Sequence, residues 1–200
     1  MPKYLEFEVS LQEVNPKIWR RFQLRDRATF LQLHEAIQDS AGWWNYHLFL
    51  FRNPNLDRGE DMIAGISSDE DEDTYGGPLP DARLVKLVSY FNASNRSCEY
   101  EYDFGDGWIC DVKLVQEITE VDIFKRKLLG GERAFPHEDS GGISGYERFS
   151  EIAKKKRDPY GEDVKELLKW LGGWHPEKFD YSTTKQYFDK NKHVPVPGYD

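Results

Sequence analysis

Six residues able to move protons or hold a metal ion are scattered along this chain: His34, His47, Asp103, Asp106, Glu138 and Asp139. Trp43, Trp44 and Trp108 lie close to them in sequence. Imidazoles and carboxylates that converge from separate elements can ligate a divalent cation or act as a general acid and base. Each also has a structural reading. His34 falls on the apolar stripe of a predicted helix, where a single histidine is more often a hydrogen-bonded core residue than a ligand. Asp103 and Asp106 flank a turn in which Asp makes local hydrogen bonds to the backbone. The favoured reading is a binding surface built on these loops, with Trp19, His34, Trp43, His47, Asp103, Asp106, Trp108, Glu138 and Asp139 as its candidate residues. Trp19 is expected to face away from the core of a strand pair, as a surface anchor or beneath a C-terminal helix.

The other constellations have simpler explanations. Asp69, Asp71 and Asp73 match the first three ligand positions of a calcium loop, which makes them weak metal candidates. The match then fails at Thr74, where the sharp turn needs Gly, and at Pro80, where a bidentate Glu is required. Asp139-Ser140-Gly141-Gly142 resembles the nucleophile segment of chymotrypsin-like proteases, where glycine amides form an oxyanion hole. A glycine-built turn with Glu138 or Asp139 capping backbone amides explains the same residues without the two β-barrels such a protease needs. Lys154-Lys155-Lys156-Arg157 closes a predicted helix, where each cation complements the macrodipole by roughly 0.3–1 kcal/mol. Cys98 and Cys110 have neither Cys-x-x-Cys spacing nor a histidine pair, so free thiols are expected. No complete catalytic constellation and no cofactor motif is visible, and no cofactor is expected.

Strands and helices must position these side chains. Leu5, Phe7, Val9 and Leu11 alternate with Glu6, Glu8 and Ser10, the period of a half-buried strand over 4–11. Asn15-Pro16 turns the chain, and Ile18, Arg20, Phe22 and Leu24 form the inward set of a second strand over 18–24. Thr29 caps a helix over 30–41 that Gly42 ends in the left-handed conformation. A third, central strand is predicted over 46–51, and a short helix over 84–91 capped by Asp81. The clearest hairpin pairs strands 98–104 and 108–115 across Gly105-Asp106-Gly107. Residues 127–145, rich in glycine, read as a long irregular loop. Helical faces return over 146–171, and Thr183 and Gln186 have capping-box spacing for a last helix.

Two hundred residues suit one domain, and aromatic residues at 14% supply large apolar bodies despite a mean hydropathy of -0.75. The formal net charge is -9. It is concentrated between Asn53 and Asp81, where nine carboxylates face the single Arg58. The rest of the chain is close to neutral. This segment therefore reads as an acidic insertion at 53–81 in a domain spanning 1–200, anchored by Met62, Ile63 and Ile66 as a short strand pair at the sheet edge. No apolar run approaches the roughly 18 residues of a membrane span, so a soluble, cytoplasmic protein with no membrane partner is expected.

Several blocks, in order, resemble the Ri-plasmid "orf three"-like family: Ile18-Trp19-Arg20-Arg21, Leu33-His34, Gly42-Trp43 with His47-Leu48, Tyr100 through Trp108, Pro136 through Gly142, and Gly145-Tyr146. Members occur on plasmids and insertion elements as well as chromosomes, so the resemblance implies a link to mobile elements while leaving the activity open. Many members read Cys-Pro-Pro-Glu-Asp-Cys-Gly-Gly in the glycine loop. Here Phe135 and Ser140 replace the two cysteines and His137 replaces the second proline, so a role resting on those cysteines is absent. A resolvase-like label in the family also lacks its residues, since no serine stands with clustered arginines and a basic helix. The expected architecture is α+β, a mainly antiparallel sheet with helices packed on one face and a helical C-terminal part. The expected function is a non-catalytic module binding a protein partner or small ligand, with nucleic acid disfavoured. The alternative is a metal-dependent hydrolase or nucleic-acid-processing enzyme using the histidines and carboxylates.

Overall fold

The alternation that begins near Tyr4 builds β1 (Lys3–Leu11), which pairs antiparallel with β2 (Trp19–Arg25) on one side and β6 (Trp108–Thr119) on the other. Phe7 stands opposite Phe22 in one ladder and Leu114 in the other. The computed structural model describes residues 1–57, 60–66, 79–161 and 163–192. Its remaining strands are β3 (Phe49–Arg52), β4 (Met62–Gly65), β5 (Ser97–Tyr102) and β7 (Arg126–Glu132), and together they form a seven-stranded sheet in the order β4-β3-β5-β6-β1-β2-β7. Every neighbouring pair is antiparallel. The helices are α1 (Phe30–Ala41), α2 (Leu87–Tyr90), α3 (Gly142–Lys155), α4 (Lys165–Trp170) and α5 (Tyr181–Phe188), making the chain an α+β protein. None of them is long and apolar enough to cross a membrane.

Between β2 and β3 lie β1, β6 and β5, so α1 crosses three strands to connect them. It covers the apolar face of the sheet. Phe30, Leu33 and Ile37 on the helix join Leu5, Phe7, Val9, Phe22, Tyr100, Val112 and Leu114 in one buried cluster. Each such side chain contributes about 1.5–3 kcal/mol by leaving water. Both ends of α1 follow the sequence. Thr29 Oγ1 accepts the Gln32 N–H while Gln32 Oε1 accepts the Thr29 N–H, and Gly42 closes the helix at φ 85°. That turn sends Trp43 into the core at 0% exposure.

The hairpin is present, with Tyr102 opposite Trp108 and Tyr100 opposite Cys110. Cys98 and Cys110 are free and buried. Several boundaries differ from expectation. β3 begins at Phe49, and Tyr46 to Leu48 instead run as a loop at the end of the sheet. The helix expected over 84–91 shrinks to α2, because Leu84 and Val85 close a turn on the Asp81 carbonyl, Lys86 bridges Thr29 and Leu87 donates to the Ala28 carbonyl. Asp81 accepts the Arg83 N–H in a local turn and does not cap the helix. The last helix is capped three residues early, by Asp180 Oδ1 on the Thr183 N–H.

The largest correction is β7, which takes residues 127–132 of the irregular loop expected over 127–145, while α3 takes residues 142–145. Its alternation is hidden by a bulge, since Arg21 pairs Gly130 and Phe22 pairs Leu128, and by glycines placed for close approach. A Cβ on Gly131 would stand 2.6 Å from Phe179 and 2.7 Å from Arg20. At the opposite edge, β4 gives the acidic segment the strand suggested by Met62 and Ile63, and Gly65 pairs with Asp81 beyond it. Asp69, Asp71 and Asp73 lie outside the described residues.

Candidate functional site

His34 belongs to a closed ring of hydrogen bonds. Gln38 Nε2 donates to the Tyr100 hydroxyl at 2.9 Å, that hydroxyl lies 2.8 Å from His34 Nδ1, His34 Nε2 lies 2.6 Å from Asn45 Oδ1, and the Asn45 N–H returns to Gln38 Oε1 at 2.9 Å. Asn45 Oδ1 is an acceptor, so Nε2 carries the proton and Nδ1 accepts from tyrosine. The imidazole also stacks on Phe49, with ring centroids 3.6 Å apart. Burial lowers its pKa to about 4, keeping it neutral near pH 7. These partners occupy both nitrogens and make His34 a fixture joining α1, β5 and the Asn45 turn.

Glu138 ties the same turn to the glycine loop. Its Oε1 accepts from the Tyr102 hydroxyl, its Oε2 accepts the Trp44 N–H at 2.6 Å, and Trp43 Nε1 donates to the Pro136 carbonyl at 3.0 Å. Burial raises the Glu138 pKa, against the lowering effect of the Tyr102 and Trp44 hydrogen bonds. Asp106 has a comparable mechanical task, because its Oδ2 accepts the Gly141 N–H at 3.0 Å. A Cβ at Gly142 would meet the Asp106 carbonyl at 2.7 Å. The paired glycines thus let the start of α3 dock on the hairpin turn. The Ser140 hydroxyl beside them is buried and has no hydrogen-bond partner among the described residues.

Three candidate residues do converge. His47 Nε2 lies 3.0 Å from Asp139 Oδ1 and 3.5 Å from Asp103 Oδ2. One ligand atom from each falls within 4.8 Å of the others. The hairpin presents Asp103 at φ 55°, with Oδ1 held by the Gly105 N–H, and the glycine loop presents Asp139, also at φ 55°. A histidine nitrogen with two carboxylate oxygens suits a divalent cation. Tyr46, Leu48 and Phe104 are exposed around it.

Beside this cluster a groove of about 240 Å³ opens between the end of α1, residues 134–138 and residues 174–184. Trp44, Phe135, Trp174 and Phe179 supply aromatic wall. Arg20 forms part of that wall although it is only 2% exposed. Its Nε donates to the Ser40 carbonyl at 2.7 Å and its Nη1 to the carbonyls of Trp19 at 2.8 Å and Glu132 at 3.2 Å. The guanidinium carbon stands 3.6 Å from the centre of the Phe179 ring. Burial lowers the Arg20 pKa to about 9.

The structure therefore divides the candidate set. His47, Asp103 and Asp139 meet; Glu138 lies between that cluster and the groove; Asp106 braces the loop; His34 is committed to its own ring. Trp43 and Trp108 are core residues at 0% exposure. Trp19 is half-buried at the outer face of the sheet edge, donating to Glu132 Oε2 at 3.3 Å with its ring over Gly130. Arg20, Phe135, Trp174 and Phe179 were not among the candidates. Arg20 carried a signal, as the one charged residue on an inward strand face with Ile18, Phe22 and Leu24.

An antiparallel sheet crossed by one helix, with an acidic aromatic hairpin docked on a Gly-Gly loop and helices at the end, defines the class of protein. The particular family follows from comparison. The profile described as plasmid pRiA4b ORF-3-like protein matches residues 3–183, and the chain belongs to that family. The chain is 34% identical over 169 residues to the uncharacterized protein y4hQ of Sinorhizobium fredii, covering 84% of this chain and 80% of the relative. It is also similar to the crystal structure of a protein of unknown function, MM3350 from Methanosarcina mazei Go1. That likeness has a TM-score of 0.76 and 34% identity, covering 91% of this chain and 97% of the other.

Proposed function

We propose that this domain is a binding module whose small ligand sits in the groove between α1, the loop at 134–138 and the segment at 174–184. The observation that carries this reading is the wall itself, where Trp44, Phe135, Trp174 and Phe179 line one cavity of about 240 Å³. Concave, mainly apolar sites with a few polar groups are the usual form of small-molecule sites, and this volume suits a ligand built on one ring. The hydrogen-bonded rings around His34 and Glu138 support the reading by holding the Trp44 wall in place before any ligand arrives. The experiment is a titration of ¹⁵N-labelled protein with phenol, phenylacetamide and phenylacetate, followed by NMR. Shifts confined to the Trp44 and Trp174 indole resonances and the amides of Ala134, Phe135, His137 and Glu138 are expected. No shift with any of the three overturns the reading. An association with mobile elements is supported by the plasmid in the family description and by nothing further.

A second reading, a metal-dependent hydrolase or nucleic-acid-processing enzyme, is favoured by one observation, the approach of His47, Asp103 and Asp139 to within 4.8 Å. In it these side chains hold a divalent cation that activates water. Calorimetric titration with Mn²⁺ and Zn²⁺ tests it. One equivalent bound, and lost in both His47→Ala and Asp139→Ala, supports the reading; equal uptake by the wild type and these variants removes it.

A further inference from the structure

Resting on the groove reading above, we propose that the ligand is a small aromatic carboxylate, its ring held between Trp44, Phe135 and Trp174 and its charge met by Arg20, with Lys178 at the mouth. The argument begins with an imbalance of charge. A guanidinium removed from water normally keeps a carboxylate beside it, because an uncompensated buried charge is costly. Arg20 has none. Carbonyls of Ser40, Trp19 and Glu132 take its Nε and Nη1, aromatic rings cover its faces, and its Nη2 makes no hydrogen bond or ion pair among the described residues. The carboxylates on the groove wall are all engaged elsewhere. Asp39 pairs with Arg126 at 2.5 Å, Asp180 caps α5 through the Thr183 N–H, and Glu138 serves Tyr102 and Trp44. Lys178 lines the same groove, is exposed, and has no ion pair among the described residues.

Arg20 also sits where an anion could use it. Two close approaches fix its position: Gly131 leaves room for its Cδ, and Phe179 packs on its face. Only Nη2 is therefore left for a ligand, held in a fixed direction from which it can give a charge-assisted hydrogen bond to one carboxylate oxygen. A neutral amide of the same shape would keep the ring contacts and could still accept from Nη2, but would lose the attraction between opposite charges. The aromatic wall selects a flat apolar body.

Calorimetry with phenylacetate and phenylacetamide on the full chain tests this directly. Phenylacetate is expected to bind at least tenfold more tightly than the amide. Arg20→Met should abolish that preference by weakening phenylacetate at least tenfold more than it weakens the amide, with circular dichroism confirming the fold. If Arg20→Met does not fold, Lys178→Glu serves instead, since its exposed position keeps the core intact; it should weaken phenylacetate severalfold and leave the amide unchanged. Equal binding of the two compounds, or an Arg20→Met protein that keeps the preference, overturns the anion assignment while the groove reading survives. Binding of neither compound overturns the anion assignment, and the groove reading falls with it when phenol also fails to bind.

Discussion

The Tyr100 hydroxyl lies 2.8 Å from His34 Nδ1, and on the far side of the ring Nε2 faces Asn45 Oδ1 at 2.6 Å. Only the neutral imidazole satisfies both partners. A proton added at Nδ1 would force the tyrosine to turn its own hydrogen into apolar surroundings, because Gln38 already donates to the same oxygen. The His34 pKa is lowered to about 4 from 6.5 by burial. The unfolded chain therefore takes up a proton near pH 6.5 that the folded chain refuses until near pH 4. This contribution to stability is complete above pH 6.5 and is lost as pH falls, by about 2 kcal/mol at pH 5. Urea unfolding at pH 7.5 and pH 5 should show that component in the wild type and not in His34→Gln. Other acid-titrating groups are common to both proteins and cancel. Equal losses in the two proteins would refute the assignment.

Glu138 joins the sheet to the Trp44 turn through two acceptors on one carboxylate, so its removal strands donors on both sides. Glu138→Leu leaves the Tyr102 hydroxyl and the Trp44 N–H without their partner and should cost about 2–4 kcal/mol. Tyr102→Phe removes one of the two stranded donors. The double variant Tyr102→Phe/Glu138→Leu should accordingly be less destabilised than the sum of the single changes. Additive losses in urea midpoints would show that the Tyr102 to Glu138 contact carries no coupling.

Sequence patterns made the hairpin, the first strand pair and α1 legible because each announces itself locally: alternation, a capping residue, a glycine at the C-terminal turn. β7 was hidden because its glycines serve neighbours distant in sequence. Gly131 yields space to Phe179 and Arg20, and no local period encodes that. The site divides similarly. Asp103 and Asp106 could be assigned to a turn, but only the fold brings Asp139 to His47, since hairpin and glycine loop meet through the Asp106 to Gly141 hydrogen bond. The reverse holds for Arg20, which alternation placed inward with Ile18 and Phe22 although the segments that surround it, 132–135 and 174–184, were beyond its reach.

Two glycines separate steric from conformational causes. In α3 a Cβ on Gly145 would run into the Ser140 carbonyl oxygen, whereas Gly161 has φ 83° and nothing within 4 Å of its Cβ position. Gly161→Ala pays only the left-handed backbone cost, about 1–2 kcal/mol. Gly145→Ala must push the start of α3 off the glycine loop and should cost at least about 3 kcal/mol. Thermal melts of both variants check the order. If Gly161→Ala proves the more damaging, the close approach of Gly145 to Ser140 is not what the position requires.

Gly65 fixes the base of the acidic segment before its most charged part begins. Its N–H donates to the Pro80 carbonyl at 3.0 Å and its own carbonyl accepts the Ala82 N–H at 2.9 Å, while β4 on the preceding side is held against β3. The described chain on the two sides of this stretch, at Gly65 and at Pro80 to Ala82, is thus held together, and in sequence Asp69 through Asp73 are five consecutive carboxylates, like charges that repel. Closing a shorter loop between the same two sides changes the entropy little, because each halving of length is worth only about 0.6 kcal/mol. Replacing Ser67 through Gly77 by a short Gly-Ser link should leave the melting temperature nearly unchanged at 0.15 M salt. At low salt, where exposed charges act over a longer range, the replacement should melt slightly higher than the wild type. Calcium gives the contrary outcome a clear signature. If the wild type gains stability on adding calcium and the replacement does not, Asp69, Asp71 and Asp73 hold the ion despite Thr74 and Pro80, and the segment is an ion-binding part of the domain.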